Sequence, residues 1–374
     1  MKTERQSLLR QAWTITRIEL GRAFFSKRAF WVYALAIFPS LIFLGYNAQV
    51  KFQAMSFSNV EKITPAQMDG VEIGETDEAI IERIGKTPRD IERTTRPRRT
   101  ARKEGANGDV TAHDTATVYR NMIYFDGKRS AFLHFENGKL ILKTVRTLKD
   151  FEEDRRIFAG VFQFFYLRLA VFFGCLGIFM NLFRGEMLDK TLHYWFLVPV
   201  RREVLLAGKY CAGLIASIVI FTCGALLCFG VMIMPHSMPE IQAYWRSAGM
   251  GHAFWYAAAA ALGCVGYGSA FLTAGLLLRN PIIPAAILLA WESINGFLPE
   301  FMQKASILYY LQSLCPVPAP VDQNAPGLLQ LLLVPASPAS RSGAVLGIIL
   351  ITAAVLWFAR RAILRMQISY GNTD

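Results

Sequence analysis

The sequence predicts a mainly helical, polytopic membrane protein with six transmembrane helices, an N-terminal interfacial helix, and a small α+β extracytoplasmic domain between helices one and two. Three observations carry that expectation. First, hydrophobic residues make up 53% of the 374 residues and charged residues only 18%, where a soluble chain has about 25% charged. Second, runs without Asp, Glu, Lys or Arg are long enough to cover a hydrocarbon core, which takes about 20 apolar residues. Third, the charges outside those runs fall into blocks whose sign and size differ from loop to loop.

Residues 1–28 are basic and recur in Leu9, Trp13, Thr16, Leu20 and Phe24 at three- or four-residue steps, with Arg10, Arg17 and Arg22 off that stripe. Such a helix lies in the membrane interface. Residues 29–50 form the first predicted span. A cleaved leader is not expected there, because 28 residues are too long for a signal n-region and no small-residue cleavage pattern follows.

Segment 51–156 carries 20 Lys and Arg against 18 Asp and Glu, the composition of a solvated domain. Its first part, from Pro65 to Arg93, reads as polar helix, and 94–117 as a loop almost without apolar residues. Beyond it, Asp126-Gly127 and Asn137-Gly138 separate three β-prone runs, a strong hairpin signal. The basic cluster Arg96, Arg98, Arg99, Arg102 and Lys103 reads as a solvated loop rather than a lipid contact.

The remaining spans are predicted at 157–183, 210–234, 250–278, 280–299 and 342–360. Arg168 interrupts the second and Glu292 the fifth. A charge near the bilayer centre costs at least about 2.5–3.5 kcal/mol on insertion scales. Either the two pair between helices two and five, or Arg168 reaches outward and Glu292 caps toward the outer loop. Gly266, Ala270 and Ala274 form a small-residue strip on helix four that suits close helix packing. Segment 300–341 is apolar but holds five prolines between Pro316 and Pro335 and a sixth at Pro338, which fits a re-entrant or interfacial stretch. Residues 361–374 form the tail. Sixteen Lys and Arg sit in 1–28, the loop 184–209, Arg279 and the end of helix six, so both termini are expected in the cytoplasm of a cell with this protein in its inner membrane.

Chemistry is conspicuous by what is missing. A phosphate-binding loop needs Gly five residues before Gly-Lys, and the four Gly-Lys pairs have Ile80, Met122, Leu133 and Glu203 there. No GxSxG or HExxH occurs, and six scattered cysteines have neither metal nor redox spacing. Only Cys315 lies outside the apolar runs and is expected to be exposed. No catalytic, metal or cofactor site is predicted, and the +12 net charge is spent on topology rather than on a nucleic-acid partner.

The distinctive stretch is FRGEMLDKTLHYWFLVPVRREVLLAGKY, residues 183–210. It places Tyr194, Trp195, Phe196 and Leu197 in a cytoplasmic loop between charged rims at Glu186, Asp189, Arg201 and Arg202. An apolar helix with charged rims docks in a partner's groove, or lies at headgroup level as an aromatic belt. The stretch resembles the type-2 ABC transporter permease family in its acidic Glu186, Thr191-Leu192, the hydrophobic run from Trp195, Pro199-Val200 with Arg201, and Lys209 at the start of helix three. Lys190 stands where the family usually has Gly. The resemblance covers the membrane part and the basic N-terminal helix, not segment 51–156.

That resemblance implies the permease subunit of an ATP-driven exporter. It would act as a homodimer or with a homologous permease, in contact with membrane lipid, and would bind a separate ABC ATPase that holds ATP-Mg. Aromatic helices two and five suit a hydrophobic cargo but also face lipid. Two rival readings are an extracytoplasmic partner-binding or assembly protein and, more remotely, a polytopic transferase, which would need ionisable residues converging at one membrane face.

Overall fold

The computed structural model describes residues 2–25, 29–56, 63–87, 90–95, 117–126, 129–147, 150–188, 197, 200–278, 280, 282–318 and 337–365. The chain divides into two units, one of residues 1–45 with 151–374 and one of residues 46–150.

In the larger unit, α1 (Lys2–Phe25) precedes α2 (Ala29–Ser56), whose Phe30–Phe52 stretch is apolar enough to cross a membrane. After the inserted unit, α5 (Phe151–Gly160) runs without a break through π-helical turns at Val161–Val171 into α6 (Phe172–Leu188). Next come α7 (Arg202–Ile233), the short α8 (Met238–Tyr244), and α9 (Met250–Leu277), joined to α8 by a π turn at Trp245–Gly249. The chain continues through α10 (Ile282–Ile294), α11 (Glu300–Gln303), α12 (Ile307–Leu314) and α13 (Arg341–Arg365).

Five helical stretches are long and apolar enough to span a membrane: Phe30–Phe52, Phe151–Met187, Arg202–Ile233, Met238–Leu277 and Arg341–Arg365. The sixth expected span differs. Residues 280–299 yield only Ile282–Phe297 as a shorter apolar helix, because a 3-10 turn at Asn295–Phe297 closes α10. About 20 residues would be needed to cross.

Aromatic packing holds this unit together. Phe162 lies 5.4 Å from Tyr166 and 4.7 Å from Tyr256, ring to ring. Phe158 meets Tyr256 edge-on at 4.8 Å, and Phe172 meets Tyr267 and Phe271 at 5.3 and 5.0 Å. Edge-to-face pairs add about 0.5–1.5 kcal/mol each beyond their burial. Most aromatic residues of 157–183 thus pack inward between helices; Phe164 and Phe173 are the exposed ones. The small-residue strip on α9 splits its work. At Gly266 a side chain would collide with Ile307 of α12 at 2.9 Å, so α12 seats there, whereas Ala270 and Ala274 line an open groove beside Ala354, Val355 and Phe358 of α13. The cysteines also differ from expectation. Cys211 and Cys223 are exposed on outward helix faces, and Cys315 is half-buried with its Sγ 3.4 Å from the Leu311 carbonyl oxygen.

In the smaller unit, α3 (Pro65–Asp69) and α4 (Asp77–Ile84) accompany a four-stranded antiparallel sheet in the order β1 (Asp90–Thr95), β2 (Thr117–Phe125), β3 (Arg129–Glu136), β4 (Lys139–Thr147). The predicted meander is β2–β4. Asn137 and Gly138 turn the last hairpin with φ of 50° and 77°, the left-handed pair a two-residue turn requires. The expectation of helix through Arg93 fails at its end. Asp90 to Thr95 instead pair with β2 as an edge strand, since Ile91, Thr94 and Thr95 suit a pleated surface and the helix already stops at Gly85. Of the expected loop 94–117, residues 96–116 lie outside the described residues, as does the basic cluster within it. Met68, Ile80, Met122, Leu133, Phe135 and Leu140 are buried as one core.

Arg120 pins this unit, donating to Asp77 at 2.6 Å and to Asp90 at 2.8 Å. The Arg120 guanidinium holds the Asp90 carboxyl below the usual carboxylate range. A carboxyl depressed in the folded state stabilises above its unfolded value, about pH 4, and that contribution disappears as pH falls through the lower folded value. Amide protection of residues 117–147, corrected for intrinsic exchange, is therefore expected to hold from pH 7 to about pH 4 and to weaken below it. Arg120→Gln should flatten that acid-side slope.

Candidate functional site

The polar residues that matter lie where helices must share a charge. Lys209, eight positions into α7, is fully buried. Its Nζ lies 2.8 Å from Glu19 Oε1 of α1 and 2.9 Å from Glu186 Oε1 near the end of α6. Arg22, largely exposed, reaches the same two carboxylates at 3.7 and 3.5 Å. Among the described residues, two cations and two anions offset one another here, as buried charges require. The Phe183 ring lies 5.5 Å from Lys209 Nζ, a cation–π contact.

Backbone sterics make the network possible. A Cβ on Gly208 would stand 2.9 Å from Ile15 Cβ and 3.1 Å from the Ala12 carbonyl oxygen, so only glycine lets α1 lie this close to α7. Thr16 Oγ1 fastens the contact, donating to the Ala12 and Gly208 carbonyls at 2.8 and 3.1 Å. Gly208→Leu is expected to lift α1, costing about 1–3 kcal/mol as overpacking does. Trypsin cleavage after Arg10 and Arg17 should rise, while Trp13→Ala leaves that pattern unchanged.

The face of α1 that packs on the protein overlaps the apolar stripe at Thr16, Leu20 and Phe24. Ile15, Thr16 and Glu19 are buried against the protein, Leu20 and Phe24 are half-buried, and Leu9 and Trp13 are 68% and 63% exposed. The stripe read from the sequence points partly outward because Glu19, a charged residue, occupies the packed face. Nothing in a hydrophobic periodicity marks a glutamate as inward; only its partner on α7 does.

Of the remaining loop residues, Thr191, Leu192, Tyr194, Trp195, Phe196 and Pro199 lie outside the described residues. Arg201 caps α7, its carbonyl accepting from the Val204 and Leu205 amides at 2.9 and 3.2 Å. Arg202 donates to the Ile363 carbonyl at 3.3 Å, and Glu203 pairs with Arg360 at 2.9 Å. The start of α7 is thereby held to the end of α13.

Arg168 and Glu292 approach each other, but not as an ion pair of side chains. Arg168 donates one N–H to the Glu292 carbonyl oxygen at 2.9 Å. The Glu292 carboxylate turns to α12 instead, accepting from the Ile307 and Leu308 amides at 3.1 and 3.3 Å and from the Ser306 hydroxyl. It thus caps α12, close to the second arrangement the sequence left open. Within the π-helical turns, Gln163 donates to the Val317 carbonyl at 2.8 Å and Tyr166 to that of Phe221 at 2.6 Å. Three polar side chains of one segment thereby reach three neighbours.

One cluster escaped the sequence. His236 Nε2 lies 3.0 Å from Asp154 Oδ2, both side chains buried, with the Phe151 ring edge-on to the imidazole at 4.7 Å. Tyr244 Oη lies 2.7 Å from His252 Nδ1, and the Arg155 guanidinium sits over the Tyr244 ring at 5.3 Å. These residues tie α5, the turn after α7, α8 and the start of α9 together. Separations of 8 to 89 positions in the chain give no motif by which to find them. Among the described residues, no group of three His, Cys, Asp or Glu side chains is arranged to hold a metal.

The five long apolar helices have the length and composition of a multi-pass integral membrane protein, with a small antiparallel sheet unit inserted after the first. Comparison with protein-family models, characterised proteins and solved structures finds no match for the chain.

Proposed function

We propose that the chain is the membrane-spanning subunit of an ATP-driven exporter of the type-2 ABC class, with no nucleotide site of its own. It sits in the cell's inner membrane with both termini cytoplasmic and works with a separate ABC ATPase that carries ATP-Mg. Two copies, or one copy and a homologous permease, enclose the path of a hydrophobic or amphipathic cargo.

The observation that carries this reading is the Lys209 network. Glu186 and Lys209 stand at the two ends of the loop, and Lys209 holds both Glu186 and Glu19 of α1. A push on the loop is therefore delivered to α1, α6 and α7 together, as a partner-driven device needs. Force from the ATPase then biases the permease between access states by differential contact with each.

Purification under mild detergent tests the reading. A co-purifying ATPase, whose hydrolysis falls when Lys209 is replaced, supports it. Recovery of the chain alone, with no ATP-dependent transport after its neighbour-encoded ATPases are added back, removes it. The extracytoplasmic assembly reading keeps one observation in its favour: the sheet face bearing Ile91, Phe132 and Leu142 is exposed. Capture of a partner that survives deletion of the loop residues would favour that alternative.

A further inference from the structure

Arg168 lies near the middle of the apolar stretch 157–183, where a cation needs a counter-charge or water. Among the described residues, no carboxylate stands within ion-pair distance of its guanidinium. Glu292, the nearest by sequence expectation, offers only its backbone carbonyl, at 2.9 Å. Both carboxylate oxygens of Glu292 are taken by Ser306, Ile307 and Leu308 at the N-terminal end of α12. Three donors and the positive end of that helix offset the Glu292 charge locally, so among the described residues Arg168 is met directly by a carbonyl and by the Glu292 carboxylate only at longer range.

Its surroundings are otherwise built. Among the described residues, the buried Nε of Arg168 has no hydrogen-bond partner, nor does the hydroxyl of Tyr267, whose side chain is fully buried. Tyr267 packs edge-on against Phe172, one turn along from Arg168. Arg168 itself is half-buried, beside the exposed Phe164 one turn earlier. A fixed guanidinium next to an exposed aromatic surface, at mid-depth, fits a ligand with an acidic head on an apolar body. Guanidinium recognises carboxylate and phosphate through paired N–H donors.

We propose that Arg168 is the anion-binding anchor for the acidic headgroup of an amphiphile crossing the membrane. This rests on the exporter reading for its meaning as a cargo site, but its test does not. The headgroup belongs either to a bulk phospholipid or to a distinct single-chain amphiphile, and both present the same chemistry to Arg168.

The full chain in neutral-detergent micelles is titrated with monododecyl phosphate, dodecanol and phosphatidylglycerol, with binding read by native mass spectrometry. Wild type is expected to prefer monododecyl phosphate over dodecanol by about tenfold or more, the scale of a charge-assisted hydrogen bond. Arg168→Gln should bring that ratio close to one, and Arg168→Lys should retain part of it. Phosphatidylglycerol competing at equal concentration assigns the site to bulk lipid; failure to compete assigns it to a single-chain cargo. Equal binding of phosphate and alcohol by wild type overturns the proposal even if Arg168→Gln does not fold, and so does a preference that survives Arg168→Gln. Because no ATPase is present, loss of this preference leaves the exporter reading standing. A failed ATPase co-purification leaves the anion site standing.

Discussion

Lys209→Ala is expected to destabilise the chain by about 3–5 kcal/mol, the usual cost of removing one partner from a buried ion pair. Glu19 and Glu186 would then lose the buried cation between them, with Arg22 beside them mostly in solvent. Thermal unfolding in detergent should show the loss, and α1 should become accessible to protease. The triple replacement Lys209→Met, Glu19→Leu, Glu186→Leu separates holding from coupling. Apolar side chains of similar size can replace a buried ionic cluster with little loss or even a gain in stability. The triple variant should therefore regain most of the unfolding temperature. If the ionic joint transmits force, ATP-driven transport should stay low in that stable variant; recovery of both would reduce the network to a structural fastener.

Glu292→Leu is expected to have the second largest effect. It leaves the Ser306 hydroxyl and the Ile307 and Leu308 amides without their acceptor in a buried place, each at a cost of about 1–3 kcal/mol. Protection of the α12 amides against hydrogen exchange should drop selectively, since this eight-residue helix depends on that carboxylate for its first turn. Glu292→Gln keeps one acceptor oxygen and should lose roughly half as much, by the same counting of unmet donors. A paired charge reversal, Arg168→Glu with Glu292→Arg, should not restore stability. The wild-type contact joins the Arg168 side chain to a carbonyl, which every residue at 292 supplies, while an arginine there would meet three donors with more donors.

How much was legible differs from element to element. The five long apolar stretches were readable because a membrane's thickness imposes a length and a composition that any window along the chain can register. The Asn137-Gly138 hairpin was readable because a turn is a local event set by two residues. The edge strand β1 was missed because its pairing with β2 reaches across residues 96–116, and edge strands take their identity from the neighbour. Glu186 and Lys209 were visible as members of a motif; Glu19 was not, since a glutamate in a basic helix reads as a solvated charge. The His236–Asp154 contact had no sequence signal at all.

The sequence by itself therefore determined which segments are apolar enough to enter a membrane, where the solvated insert lies, and which loop carries unusual apolar surface. Those are properties of composition, summed over windows of about twenty residues. Only the tertiary structure decided which charges are partners: Lys209 with Glu19 and Glu186, Glu292 with the start of α12, and Arg168 with a carbonyl instead of a carboxylate. A buried charge is satisfied by whatever donor or acceptor the fold brings within about 3 Å. That distance is set by helix packing, above all where Gly208 admits α1 against α7.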